Sequence, residues 1–122
     1  MDWEIIINEK DRMIEVITSG QADRDSSLKM ATAINKIMWK HRIKKVLIDH
    51  RNISEVSGDI TDIYYRPRIL RIIGAIFTLR IAELIKIEHL EHFRFFETAC
   101  KEQGFQISIF YEREIAINWL LN

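Results

Sequence analysis

A chain of 122 residues with a single cysteine, 18 Lys+Arg and 18 Asp+Glu is long enough to bury a core without a disulfide or metal staple. Cys100 alone excludes an intramolecular disulfide and a cysteine-only zinc site, and zero net charge argues against nucleic acid, whose binders carry excess positive charge along one face. The longest apolar stretch, residues 69–79, is broken by Arg71 and is too short for a membrane span, and Asp2 and Glu4 flank Trp3 where a secretory signal would begin. No transmembrane segment and a reducing cytoplasm are therefore expected.

Residues 3–8 and 12–18 are short, β-branched runs separated by Glu9-Lys10-Asp11, which predicts an amino-terminal β-hairpin. After Gly20, Asp25 is a candidate cap for a helix over residues 26–41. There Ala31, Ile34, Ile37, Met38 and His41 recur at helical spacing, with Lys29, Lys36 and Lys40 opposite. Residues 45–49 lack polar alternation, so they read as a buried third strand that ends at Asp49 and delivers a polar loop over residues 49–59.

Asp59 and Asp62 mark a helix start, and Pro67 disfavours helical geometry at Arg66, so two short helical pieces are expected there. In the second, positions 69, 70, 72, 73, 76 and 77 form an apolar arc, with Arg68, Arg71 and Ala75 opposite. Residues 80–86 predict a fourth strand, 88–103 a helix closed by Gly104, 105–110 a fifth strand and 112–121 a final helix. Phe105, Ile107 and Ile109 alternate with Gln106 and Ser108, so the sheet should be covered mainly on one side.

This order, the apolar strand ending in Asp49, and the carboxy-terminal Ile107-Ser-Ile-Phe-Tyr-Glu-Arg-Glu-Ile-Ala-Ile-Asn-Trp-Leu120 resemble the SpoIIAA-like branch of the STAS family over essentially the whole chain. The resemblance implies one α/β domain over residues 1–122: a mixed five-stranded sheet with about four helices, mainly on one face. It also implies a regulatory or protein-interaction module without catalysis. STAS members of the best-known kind carry an Asp-Ser-Ser-Gly type segment whose serine is phosphorylated at the start of the helix after the third strand. This chain reads Val56-Ser57-Gly58-Asp59 there, and an acidic group at a helix start repels an incoming phosphate. No phosphoserine switch is expected.

Asp49, His50 and Arg51 offer an anion, an imidazole and a guanidinium at a strand end, where open α/β sheets bind ligands and partners. With Ser54, Ser57 and Asp59 they form the expected partner- or ligand-binding rim. Glu88, His89, Glu91 and His92 have the spacing for metal ligation on one helix face, but the wheel places His89 among Leu90, Phe93, Phe96 and Cys100. That position reads as a hydrogen-bonded core histidine, and no second Glu-x-x-His segment completes a di-iron set. Cys100 on the same arc reads as a buried, inert thiol. Ser54 and Ser57 lack a Gly-x-Ser-x-Gly elbow, and the four glycines are dispersed, so no catalytic residues, metal or cofactor are expected.

Arg66, Arg68, Arg71 and Arg80 beside the apolar arc suit an anionic lipid, but read more simply as the solvated face of a core helix. Trp39 and Phe95 fall off their helices' apolar arcs and would suit a homodimer interface. The expected function is thus a non-catalytic regulatory or protein-interaction domain. The alternative is a carrier of a small apolar ligand or lipid, with the arc of residues 69–77 as a lid.

Overall fold

The computed structural model describes residues 1–58, 60–72 and 79–122, and of residues 60, 61 and 69–72 the backbone alone. β1 (Asp2–Asn8) and β2 (Met13–Ala22) form the expected antiparallel hairpin. Arg12 closes its turn at φ 53, and the Asn8 side chain accepts from Asp11 N at 3.1 Å. β3 (Lys45–Val56), β4 (Arg80–Leu84) and β5 (Gln106–Phe110) follow in parallel, giving a mixed sheet in the order β1-β2-β3-β4-β5.

Consecutive parallel strands joined by crossovers of one hand place their connecting helices on one face. α1 (Arg24–His41) and α3 (Leu90–Glu102) lie there, and α2 (Ile60–Ile72) packs across both. Met30, Ile34 and Met38 of α1 meet Ile14, Val16, Val46 and Ile48, while Phe96 and Cys100 of α3 meet Ile81 and Ile107. α4 (Arg113–Leu121) has no crossover to make and fills the opposite face, where Ala116 and Leu120 cover Met13, Leu47, Ala82 and Leu84. No helix among the described residues is long and apolar enough to cross a membrane.

Several expected boundaries change. The cap of α1 is Asp23, whose carboxylate accepts from Ser26 N at 2.8 Å, rather than Asp25. α2 is one helix with Pro67 inside it, not two pieces. The proline forfeits one backbone hydrogen bond, and buried Arg66 holds the segment in place by donating to Asp62 Oδ2 and Ser57 O. The apolar arc of residues 69–77 lies outside the described side chains.

The largest correction concerns β3, which runs past Asp49 through the segment read as a loop. Its pairing with β4 stops at Asp49↔Leu84, whereas pairing with β2 continues to Ala22↔Val56 through two register shifts. Polar residues appear after Asp49 because the strand loses a neighbour there, not because the strand ends.

Leu47 is fully buried between two layers. Leu47→Ala should lower unfolding free energy by about 2–5 kcal/mol, read by urea denaturation at unchanged m-value. Ile115→Ala, at an exposed position of α4, should stay within about 0.5 kcal/mol of the parent.

Candidate functional site

A charge within an apolar strand must find a partner, and Glu83, between Ala82 and Leu84, finds it across the sheet. Thr18 of β2, His50 of β3 and Glu83 of β4 form a polar row on the face covered by α1, α2 and α3. Thr18 Oγ1 lies 2.8 Å from His50 Nδ1, and His50 Nε2 lies 2.8 Å from Glu83 Oε2. Thr18 also donates to Asp49 O at 3.1 Å. Phe93 of α3 stacks on the imidazole, with centroids 4.8 Å apart. The second carboxylate oxygen, Glu83 Oε1, is buried without a hydrogen-bond partner among the described residues.

The row has the order hydroxyl, imidazole, carboxylate found in hydrolases, but its geometry does not suit a nucleophile. Thr18 is wholly buried and does not line the cavity that His50 and Glu83 reach. Its hydroxyl hydrogen is directed to a backbone carbonyl, so neither access nor activation is available to it.

That cavity, about 110 Å³, lies between the sheet face and the three helices. Its walls are mostly apolar, including Met30, Ile34, Met38, Phe96 and Ile107. Arg66, His92, His50 and Glu83 contribute to the polar part, with Ser27 and Asn35 of α1. Arg66 is 5% exposed; its Nη2 donates to Asp62 Oδ2 at 2.8 Å and to Ser57 O at 3.1 Å, while its Nε has no partner among the described residues. Burial holds the His92 pKa down to about 4; the nearby Arg66 charge adds to this, Glu83 opposes it, and His50 and His89 lower it a little further. His92 is therefore neutral at pH 7. Burial also raises the Cys100 thiol well above its ordinary value.

Of the expected rim residues, Asp49 and Arg51 are neighbours on β3. They close on each other through Nε to Oδ1 and Nη2 to Oδ2, both 2.9 Å. Burial opposes ionisation of Asp49, but the Arg51 hydrogen bonds outweigh it and hold its pKa low. Arg51 and Ser54 are exposed. His50 is not on the rim: it is 4% exposed and belongs to the interior row. Ser57 is partly buried, its hydroxyl donating to Ala22 O at 3.2 Å. Asp59 lies outside the described residues. His89 is not the core histidine expected from the wheel. It ends a 3-10 turn, Ile87–His89, ahead of α3, whereas His92, four residues before Phe96 and eight before Cys100, lines the cavity beside them. Phe95 is partly covered, whereas Trp39 is 65% exposed.

Sequence reasoning missed Thr18 and Glu83, and read Arg66 as part of a solvated cationic face and His92 as a candidate metal ligand rather than as cavity residues. The available signal was Glu83, a lone charge in the run Ile81-Ala-Glu-Leu-Ile85.

The depressed pKa makes the chain sensitive to acid. Between pH 6.5, the ordinary histidine value, and about 4, an unfolded His92 binds a proton that the folded one refuses, so stability falls as pH drops through this window. His92→Gln should flatten the decline relative to the parent, read as the difference between two denaturation series over that range.

No protein-family model matches the chain, and no curated protein does. Solved structures do. An uncharacterized protein of the DUF3478 family with a SpoIIAA-like fold, from Shewanella loihica PV-4, aligns at TM-score 0.63 and 16% identity over 98% of this chain and 92% of that one. The anti-sigma factor antagonist SpoIIAA in its unphosphorylated form aligns at TM-score 0.55 and 12% identity, over 97% and 96%. The fold of this chain is SpoIIAA-like: a mixed five-stranded sheet with four α-helices among the described residues.

Proposed function

We propose that residues 1–122 act as one non-catalytic, cytoplasmic regulatory domain of the STAS type, which works by binding another protein and has no phosphoserine switch. The observation that carries this reading is the outer half of β3. There Arg51, Asn52, Ser54 and Glu55 face solvent beyond the last residue pair with β4, at the carboxyl end of the parallel strands. The ladder to β2 keeps this edge rigid, so a partner meets a preorganised surface. The Asp49–Arg51 pair orients the guanidinium outward from a half-hidden carboxylate.

The absence of a switch is supported by the segment after β3. Ser57 spends its hydroxyl on Ala22 O. Gly58 stands at φ +114, where an added Cβ would lie 2.5 Å from Asp62 Oδ2 and 2.6 Å from Arg66 Nη2. A phosphate on Ser57 would have to displace packing that tolerates not even a methyl group one residue on. The buried row of Thr18, His50 and Glu83 supports a non-catalytic reading, because its hydroxyl is sealed from the cavity.

A second reading, a carrier of a small apolar ligand, is favoured by the cavity under α2. At about 110 Å³ it is smaller than the roughly 150 Å³ cavity that takes up benzene, so a compact molecule suits it better than a lipid chain.

Native mass spectrometry of the protein recovered from its own cells separates the two. The interaction reading expects a protein-sized mass increment that disappears in Arg51→Glu/Glu55→Lys at unchanged thermal midpoint and survives Ser57→Ala. A small-molecule increment without protein supports the carrier. A phosphate increment on the parent that is lost with partner binding in Ser57→Ala would overturn the switch-free assignment.

A further inference from the structure

Two buried polar groups in the wall of the cavity have an unused hydrogen-bonding valence, and they differ in kind. Glu83 Oε1 is an acceptor on a side chain 2% exposed, and Arg66 Nε–H is a donor on a side chain 5% exposed. Both side chains line the cavity: Glu83 is joined through His50 and the stacked Phe93 to His92, and Arg66 reaches the same wall from α2 beside Ser57, at the outer end of β3. Buried groups of this kind cost free energy unless something completes them.

Each group already has a polar partner: Glu83 has His50, and Arg66 has Asp62. An ammonium entering here would meet the Arg66 guanidinium, and a carboxylate would meet Glu83, each with a desolvation cost to set against the attraction. What the site lacks is one donor and one acceptor without net charge. Apart from Ser27 and Asn35 of α1, the remaining wall is mostly aliphatic and aromatic, with Met30, Ile34, Met38, Phe96 and Ile107 among its residues.

We infer that this cavity binds a compact apolar molecule, of about six non-hydrogen atoms at most by comparison with the benzene cavity, ending in a neutral hydroxyl or primary amide that donates toward Glu83 and accepts from Arg66. The inference rests on the carrier reading and is independent of the rim of β3, so partner binding can fail or succeed without touching it.

Six-atom isosteres test it, added to the full chain and followed by NMR titration of the methyl groups of Ile34 and Ile107. Cyclopentanol and cyclopropanecarboxamide should bind about tenfold more tightly than methylcyclopentane, the factor that one or two hydrogen bonds to charged groups supply. Cyclopentylammonium and cyclopropanecarboxylate should bind no better than the hydrocarbon. Arg66→Lys keeps a cation for Asp62 but removes the Nε donor, and should cut the alcohol's advantage about threefold at an unchanged circular dichroism spectrum. Ala31→Leu, which adds volume to a wall residue, should weaken every probe. Equal binding of alcohol and hydrocarbon would overturn the assignment, as would tightest binding by the ammonium, no binding by any probe to the folded parent, or cyclopentanol binding unmoved by Ala31→Leu.

Discussion

The pairing of His50 with Glu83 across the middle of the sheet is the constraint on which the rest depends. Both side chains lie on the face that three helices cover, and each alone would be a buried polar group without an answer. Together, with Thr18 beneath and Phe93 stacked above, most of their hydrogen-bonding capacity is met. Such a pair adds little net stability compared with apolar residues of the same shape. Its effect is on alternatives. A slip of β3 against β4 by one residue would turn His50 to the α4 face and strand Glu83 among isoleucines. The apolar strands, rich in interchangeable valine, isoleucine and leucine, discriminate registers less sharply than this one polar contact does.

The same pair explains what could and could not be read from residue patterns. Runs with strong periodicity, such as β1, α1, α3 and β5, were legible because one face of each must be apolar wherever it packs. β3 was legible only as far as Asp49, since period and polarity report how many neighbours a strand has, and its outer half has one. That half resembles a loop in composition while keeping a strand's ladder. His92 was legible only as a candidate metal ligand. Its spacing, four residues before Phe96 and eight before Cys100, sets it beside the apolar arc of α3, while His89 falls in the 3-10 turn that precedes the helix. Pro67 misled in the opposite direction, because a propensity rule worth a few kcal/mol yields to a buried arginine and to packing on two helices. The site residues come from β2, β3, β4, α2 and α3, and no local pattern records which of these meet.

Likeness to SpoIIAA at 12% identity and to the Shewanella protein at 16% fixes an architecture while leaving its working groups free to change. In the segment after β3, Ser57 and Gly58 serve internal geometry: the serine hydroxyl donates to Ala22 O, closing β3 against β2, and the glycine leaves room for the Asp62–Arg66 pair.

Arg66 is where these strands of the structure meet. Its Nη2 grips Ser57 O just beyond β3 and Asp62 one turn earlier on its own helix, while the side chain lines the cavity and its buried Nε has no partner among the described residues. One planar guanidinium cannot rotate to serve the cavity without disturbing the other two bonds, because its donors are fixed in a rigid fork. β3 therefore meets the interior space in two ways: directly, through Ile48 and His50 in its wall, and through Arg66, which fastens α2 to the backbone of Ser57 just beyond the strand's outer half.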